Sequence, residues 1–204
     1  MKGIELLKTL RQFNKSFYTV SDLEKITGLP RTSLYVALRR WQVSGIIERV
    51  AQGIYLPMGG NLSIENLAAQ LYLPNYLSFE SALARHGILN LIPYTLTFAT
   101  TRKTRKYTLH KQDVEFRQIS PELFFGFEMR NGNYIASPEK AFLDELYLIS
   151  RGKAALDFDE MNIMKMSPRL LRKYAKRFPV YVRRHLERIL NSKKKESEEI
   201  ARFR

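Results

Sequence analysis

The first 57 residues constrain the fold most, because helical segments follow one another there with clear end signals. Apolar side chains recur at helical spacing over residues 3–13, which predicts an amphipathic helix. A second helix is predicted to begin at a capping box formed by Ser21 and Glu24. It ends at Gly28, a residue suited to the left-handed position after a helix.

A third helix and a hairpin complete this pattern. The helix follows Pro30 and runs to Ser44, and residues 46–50 and 54–56 have the composition of two strands joined by a tight turn at 51–53. Two helices separated by a short glycine-containing turn are typical of a helix-turn-helix. The added hairpin predicts a winged helix-turn-helix over residues 1–57.

The third helix has an inner and an outer face. Leu34, Leu38 and Trp41 share the inner face, which must pack on the first two helices. Arginine can hydrogen-bond guanine, and hydroxyl groups can contact base edges or phosphates, so the outer face suits the major groove of double-stranded DNA. The predicted DNA-binding residues on the helix and the wing are Arg31, Thr32, Ser33, Tyr35, Val36, Arg39, Arg40, Arg49 and Gln52. The alternative is a protein–protein module on which these residues are merely solvated.

The positive charge is concentrated at the two ends of the chain. Lys and Arg total 34 against 20 Asp and Glu, a net charge of +14. Residues 1–57 contribute +5 and residues 151–204 contribute +9, whereas residues 58–150 are neutral. Such segregation favours a polyanionic partner over a general role in solubility.

The amino-acid composition also excludes several kinds of functional site and of chain segment. The chain has no Cys, so disulfides, thiolate zinc sites and cysteine nucleophiles are absent. No apolar run reaches the roughly 18 residues that a membrane helix needs, and the first residues lack a signal-peptide core. We therefore expect a cytoplasmic protein that does not bind a membrane.

The remaining chain predicts an α+β fold, in which the winged helix is followed by a mixed α/β domain that ends in basic helices. Residues 58–61 are the predicted linker, residues 62–192 the second domain, and residues 193–204 a charged, frayed tail. Within the second domain, Ser78 is a predicted N-cap. Ser137 and Pro138 are predicted to open a further helix.

Two groups of basic residues in the second domain are candidates for auxiliary contacts with phosphate. Arg102, Lys103, Arg105 and Lys106 cluster in a predicted hairpin turn. The others lie on the outer faces of the C-terminal helices and are Arg169, Arg172, Lys173, Lys176, Arg177, Arg183 and Arg184. The alternatives are a surface that faces RNA or a protein partner, or simple solvation.

No set of residues predicts catalysis, a metal ion or a cofactor. The three His lie in different segments without ligand spacing. Asp113 and Glu115 precede Arg117 in an acid-x-basic pattern similar to nuclease strands, but arginine cannot deprotonate to act as a base. Lys140 and Asp144 are interpreted as an i,i+4 pair that stabilises a helix start. A nuclease-like enzyme targeted by a winged helix and a protein–protein adaptor stay open as alternatives.

The order of motifs resembles the AbiEi antitoxin family of abortive-infection systems. After the winged helix come YLSFESALARHGIL (Tyr76–Leu89), FATTRKTRKY (Phe98–Tyr107) and YIASPEKAFLDELY (Tyr134–Tyr147). The resemblance implies a transcriptional repressor that binds inverted repeats in its own promoter, as a monomer in solution or a dimer on DNA. It also implies an antitoxin that counteracts a co-encoded nucleotidyltransferase-like toxin without a stable complex.

Overall fold

The structure, a computed structural model, describes residues 2–13, 15–59, 63–156, 158 and 161–202. It contains two compact units. The first comprises Met1–Leu71 with Tyr107–Asp113, and the second comprises Tyr72–Lys106 with Val114–Arg204. Helices and strands alternate irregularly in both units, which confirms the predicted α+β class.

The first unit is a winged helix. Its three strands pair antiparallel in the order β1-β3-β2, and the wing is the hairpin of β2 and β3. The elements are α1 (Gly3–Phe13), β1 (Tyr18–Thr19), α2 (Val20–Thr27), α3 (Arg31–Val43), β2 (Ile47–Ala51), β3 (Ile54–Pro57) and α4 (Ile64–Leu71). The predicted inner face of α3 is confirmed, since Leu34, Leu38 and Trp41 are buried against residues of α1 and α2.

The predicted capping box at Ser21 and Glu24 is wrong by two residues. Helix α2 begins at Val20, and its N-cap is Thr19. The Thr19 hydroxyl accepts a hydrogen bond from the Asp22 amide at 3.1 Å, and the Asp22 carboxylate accepts one from the Thr19 amide at 2.9 Å. Thr19 also ends β1, so its extended backbone already has the geometry that an N-cap requires.

A mixed sheet has six strands in the order β6-β7-β5-β4-β9-β8. Strands β5, β4, β9 and β8 lie wholly in the second unit, whereas parts of β6 and β7 lie within Tyr107–Asp113 of the first. Strand β4 pairs antiparallel with β5 and parallel with β9, while β5 pairs parallel with β7. Its strands are β4 (Asn75–Leu77), β5 (Leu96–Thr100), β6 (Arg105–Leu109), β7 (Gln112–Gln118), β8 (Phe127–Arg130) and β9 (Asn133–Ala136). The helices of the second unit are α5 (Phe79–Arg85), α6 (Pro138–Ile149), α7 (Pro168–Ala175) and α8 (Val180–Arg202).

Helix α6 is the centre of this unit. It packs against α5, α7 and α8, and residues 139–148 are all buried. The predicted start is confirmed, because the Ser137 side chain accepts from the Lys140 amide and Pro138 occupies the first turn. The interpretation of Lys140 and Asp144 as a charge pair at a helix start is incomplete, since both side chains are fully buried.

The predicted N-cap position of Ser78 is confirmed, but its side chain does not cap α5, because the hydroxyl donates to Asp144 instead. One other expectation for the second unit is wrong. The basic cluster Arg102, Lys103, Arg105 and Lys106 does not lie in a hairpin turn. Strand β5 pairs with β7 rather than with β6, so the first two residues lie in the connection between β5 and β6 and the last two lie in β6.

The linker prediction falls partly outside the described residues, since Gly60 and Asn61 are not among them. Helix α8 extends to Arg202, and Phe203 and Arg204 lie outside the described residues, so the frayed tail from residue 193 stays a prediction. Over the described ranges, no helix combines the length and the apolar character that crossing a membrane requires.

Candidate nucleic-acid interface

The nine predicted DNA-binding residues are all exposed on the first unit. Seven lie on α3, Arg49 lies on β2, and Gln52 lies in the two-residue turn of the wing. Gly28 takes a left-handed φ of 67° at the end of α2, and Pro30 precedes α3. The turn between the two helices is only three residues long. The outer face of α3 is exposed to solvent.

A groove between α3 and the wing brings four of these residues together. Tyr35 and Arg39 line it from α3, while Arg49 and Gln52 line it from the hairpin. Its volume is about 350 Å³. Gln42, which the sequence interpretation missed, also lines the groove, seven residues after Tyr35 and thus on the same side of the helix.

The wing side of this groove carries the positive charge of Arg49, which a hydrogen bond holds in place. The Arg49 Nε donates to the Ala51 carbonyl at 3.4 Å, which holds the guanidinium along the wing. Burial raises the pKa of Tyr55 at the base of the groove, and the positive charge of Arg49 acts in the opposite direction. Tyr35 is half exposed at 52%, so it stays available to a ligand although it lines the groove.

The rest of α3 presents two further sides. Val36 and Val43 are separated by seven residues and are 72% and 85% exposed, so an apolar row follows the outer side of the helix. Exposed valines beside Thr32 suit the methyl groups of thymine in a major groove. Arg40 lies apart from the α3–wing groove and instead lines a second groove with residues of α1.

Residues 5–57 match a family model described as a transcriptional regulator, AbiEi antitoxin. Residues 5–57 are therefore similar to the AbiEi antitoxins. The match runs from the first turn of α1 to the end of β3 and confirms the resemblance over that part of the chain. None of the curated proteins matches the chain. A match to a transcriptional regulator that is described as an antitoxin supports a DNA-binding antitoxin in general.

Beyond the AbiEi match, three of the four cations in the basic cluster of the second unit contact neighbouring side chains or backbone, and the fourth, Lys103, is exposed. The Arg102 guanidinium lies 4.2 Å from the centre of the Tyr72 ring and donates to the Leu73 carbonyl at 3.2 Å. Arg105 lies over the same ring at 5.7 Å, and Lys106 pairs with Glu115 at 3.2 Å. These cations therefore have local structural partners, in addition to being exposed.

The basic helices of the second unit divide into paired and unpaired cations. Arg172 pairs with Glu187 at 3.3 Å, and Arg177 lies 3.7 Å from the centre of the Phe125 ring while donating to the Glu122 carbonyl. The other predicted residues are exposed and make no ion pair within the described part of the chain; they are Arg169, Lys173, Lys176, Arg183 and Arg184. These five predicted residues, four on α7 and α8 and Lys176 directly after α7, therefore remain available to phosphate.

The acidic and basic residues of the nuclease-like pattern form hydrogen bonds and ion pairs with other side chains. Asp113 accepts from the Thr108 hydroxyl at 2.9 Å. Glu115 accepts from Arg117 at 2.9 Å, and Arg117 also makes a two-pronged contact with Glu80 at 2.8 and 3.0 Å. Among the residues with a described position, no group of three or more acidic or His side chains is arranged to hold a metal ion.

A buried polar cluster at the centre of the second unit was not predicted. Asp144 accepts from the hydroxyls of Tyr76 and Ser78, both at 2.8 Å, and pairs with Lys140. The Lys140 Nζ also donates to the Tyr76 hydroxyl at 2.8 Å. Burial lowers the pKa of Lys140 and raises the pKa of Asp144, and each partner opposes the shift in the other.

Beside this cluster lies a second buried carboxyl group. Glu145 is fully buried, and neither of its oxygens has a hydrogen-bond partner among the described residues. Its closest cation is the Arg117 guanidinium at 3.5 Å, which Glu80 and Glu115 already engage. Burial first, and then the negative charge of Glu80, raise the pKa of Glu145 to about 8.

Proposed function

We propose that this chain represses its own operon by placing α3 in the major groove of inverted repeats in its promoter. The observation that carries the proposal is the uncovered outer face of α3, which is continuous with the groove lined by Tyr35, Arg39, Arg49 and Gln52. In this arrangement α3 reads base edges and the wing meets the neighbouring backbone. Two copies are expected on each inverted repeat, because the symmetry of the DNA site matches a pair of identical chains.

We also propose that the second unit makes the chain the antitoxin of a co-encoded nucleotidyltransferase-like toxin, acting in the cytoplasm without a stable complex. Support comes from two of the family-like stretches, Tyr76–Leu89 and Tyr134–Tyr147. They contribute Tyr76, Ser78 and Asp144 to one hydrogen-bonded cluster. The resemblance therefore involves residues that hold this unit together.

The unpaired cations of α7 and α8 are proposed as auxiliary contacts to DNA phosphates. Arg169, Lys173, Lys176, Arg183 and Arg184 are exposed, and such contacts add affinity without reading sequence. Their contribution would fall as salt rises, because each contact releases condensed counterions from the DNA.

The proposal is tested by binding to a labelled duplex from the region upstream of the gene. A scrambled duplex of equal length is the control, and both are titrated over a series of salt concentrations. Tight binding that favours the upstream duplex, with a steep salt dependence, is the expected result. Equal affinity for both duplexes would contradict the repressor and favour a nucleic-acid-acting enzyme, whereas no binding at low salt would favour the adaptor.

Arg39→Ala is expected to weaken operator binding by about 1–3 kcal/mol, because an arginine that contacts a base edge or a close phosphate is lost. The measurement is the dissociation constant on the upstream duplex at constant salt. Arg11→Ala is the matched control, since Arg11 is an exposed arginine near the end of α1. Equal effects of the two substitutions would show that Arg39 contributes only its charge.

A further inference from the structure

The six-stranded sheet has an open edge at β8. This strand is the last in the sheet order, and β9 is its one neighbour among the described strands. Glu128, Met129 and Arg130 of β8 are all exposed. The outer side of an edge strand presents N–H and C=O groups that can pair with a further strand. The edge of β8 is therefore a surface on which another strand can bind.

The turn between β8 and β9 determines which backbone groups face this edge. Arg130 pairs with Asn133 across Asn131 and Gly132, whose φ values of 49° and 84° are both positive, as a type I′ turn requires. The first and fourth residues of such a turn are hydrogen-bonded to each other, and hydrogen-bonded and non-hydrogen-bonded pairs then alternate along the hairpin. Met129 belongs to the next pair, which is not hydrogen-bonded. Its N–H and C=O groups therefore point away from β9, toward the open edge.

The charges on β8 favour a second copy of the same strand as the occupant. Glu128 and Arg130 flank Met129 on either side. When two copies pair antiparallel with Met129 opposite Met129, Glu128 of each copy lies opposite Arg130 of the other. The two Met129 residues then exchange both hydrogen bonds, and each Glu–Arg pair occupies a non-hydrogen-bonded position, where side chains approach more closely. Opposite charges in this arrangement stabilise a pair of antiparallel strands.

Other registers of the two strands are unfavourable. A shift by one residue places the outward groups of Met129 opposite a residue whose groups already bond β9. A shift by two residues places either Glu128 opposite Glu128 or Arg130 opposite Arg130, and like charges directly opposite each other are destabilising. Larger shifts leave at most one residue of each β8 in register. The charge pattern therefore selects the register that is centred on Met129.

The same contact would cover exposed apolar side chains. Met129 is 55% exposed, and Tyr134, its partner on β9, is 46% exposed on the same face of the sheet. In the selected register the two Met129 side chains lie next to each other on this face, with Tyr134 behind each of them. Glu128 and Arg130 lie on the opposite face, where they pair with each other within one chain. Each carboxylate would thus lie between two guanidinium groups.

We propose that two copies of this chain pair through their β8 strands, antiparallel, with Met129 opposite Met129 and Glu128 opposite Arg130. The contact is isologous, because each copy presents the same strand. It is short compared with the surface that a permanent dimer buries, so the chain is a monomer when dilute and pairs as its concentration rises. The pairing goes beyond the repressor function and needs no DNA.

The test uses single cysteines, because the chain has no Cys of its own. The Cα atoms of a hydrogen-bonded antiparallel pair lie about 5.5 Å apart, which is within the range of a disulfide. Under mild oxidation, Met129→Cys is therefore expected to form a disulfide-linked dimer at least several-fold faster than Glu128→Cys or Arg130→Cys, which lie on the other face and opposite a different residue. Rates are measured by non-reducing gel electrophoresis at one protein concentration. Met164→Cys is the matched control, since Met164 is 78% exposed and lies in the turn Ile163–Lys165, not on the sheet.

Charge reversal tests the register in chains that also carry Met129→Cys. Glu128→Arg places arginines opposite each other in the pair, and Arg130→Glu places carboxylates opposite each other. Each variant alone should cross-link several-fold more slowly, because like charges repel. An equal mixture of the two should recover the original rate, since opposite charges then face each other at both positions. The same reversals combined with Met164→Cys should leave its slower rate unchanged.

Sedimentation equilibrium gives a readout without any cysteine. The average mass of the unsubstituted protein should rise with its concentration, whereas Glu128→Arg should stay a monomer, with its folding checked by circular dichroism. A monomer mass for the unsubstituted protein at every concentration, or equal cross-linking at all four cysteine positions, would overturn the proposal. Fastest cross-linking by Glu128→Cys would indicate a like-charged register and also overturn it. None of these measurements involves DNA, so the pairing and the repressor function can fail independently.

Discussion

Asp144→Ala is expected to destabilise the second unit by about 3–5 kcal/mol, because it leaves the Lys140 ammonium buried without its counter-charge. The contacts that remain are the Tyr76 hydroxyl and the aromatic rings of Tyr76, Phe125 and Phe178, whose centres lie 5.1–5.3 Å from the Lys140 Nζ. Cation–π contacts of this kind contribute about 0.5–2 kcal/mol each, less than the cost of the unpaired charge. The measurement is urea denaturation followed by circular dichroism at pH 7.

An exposed ion pair provides the control for this substitution. Lys15 and Asp22 pair at 2.8 Å, and their side chains are 52% and 26% exposed. Lys15→Ala should therefore lower the free energy of unfolding by less than about 1 kcal/mol. Replacing both buried partners, as in Lys140→Met/Asp144→Leu, should recover part of the loss, since no buried charge then remains. A cost below 1 kcal/mol for Asp144→Ala would refute the view that the buried pair is ionised.

Glu145→Gln is expected to make the protein more stable than the unsubstituted chain at alkaline pH. The pKa of Glu145 is about 8 in the folded protein against an ordinary value of 4.5. Because the folded value is raised, the stability that Glu145 contributes is fully present below pH 4.5 and is lost as pH rises to about 8. The loss is about 1.4 kcal/mol per pH unit, with an upper bound of about 5 kcal/mol over this window.

The difference in unfolding free energy between Glu145→Gln and the unsubstituted protein should therefore grow from pH 4.5 to 8 and then level off. Burial is the main cause, and the charges of Glu80, Asp144 and Glu115 add to it while Arg117 opposes them. Glu128→Gln is the control, because Glu128 is an exposed carboxylate whose side chain is 56% accessible. A difference that stays constant with pH would mean that Glu145 is ionised throughout.

The winged helix could be predicted because local signals define each of its elements. Gly28 takes the left-handed conformation that ends α2, and the buried positions Leu34, Leu38 and Trp41 recur at helical spacing in α3. The capping box was misplaced because Ser21-x-x-Glu24 and Thr19-x-x-Asp22 are both capping patterns. The pairing of β1 with β3 determines which of the two patterns caps the helix. This pairing joins residues about 36 positions apart in the sequence, such as Thr19 and Ile54, so a local pattern does not reveal it.

The buried cluster of the second unit could not be predicted from local pattern. Tyr76 and Ser78 lie 68 and 66 residues from Asp144, so no local spacing links them. A serine before a helix is an N-cap in most settings, and its alternative role depends on a buried carboxylate brought by α6. The Lys140–Asp144 spacing was visible, but burial of the pair follows from the packing of three other helices around α6.

The sequence could predict which residues of the candidate interface are exposed on α3, because a helical wheel separates buried from exposed positions. The wheel placed Tyr35, Val36, Arg39 and Arg40 outside the core, where they are found. It could not distribute them between two grooves, because the wing defines one groove and the start of α1 defines the other. Gln42 was missed for the same reason, since its relevance depends on tertiary neighbours.

The pairing of β4 with β9 has a consequence for synthesis on the ribosome. Every strand partner of the winged helix is present once residue 57 has been made. In the second unit, Leu77 of β4 pairs with Ile135 of β9, so this pair forms only after residue 135 has been made. The buried cluster likewise forms only after Asp144 has been made. Contacts between distant residues form slowly, and chains fold from the N-terminus as they emerge. The nascent chain therefore contains every strand of the winged helix while strands of the six-stranded sheet are still being translated.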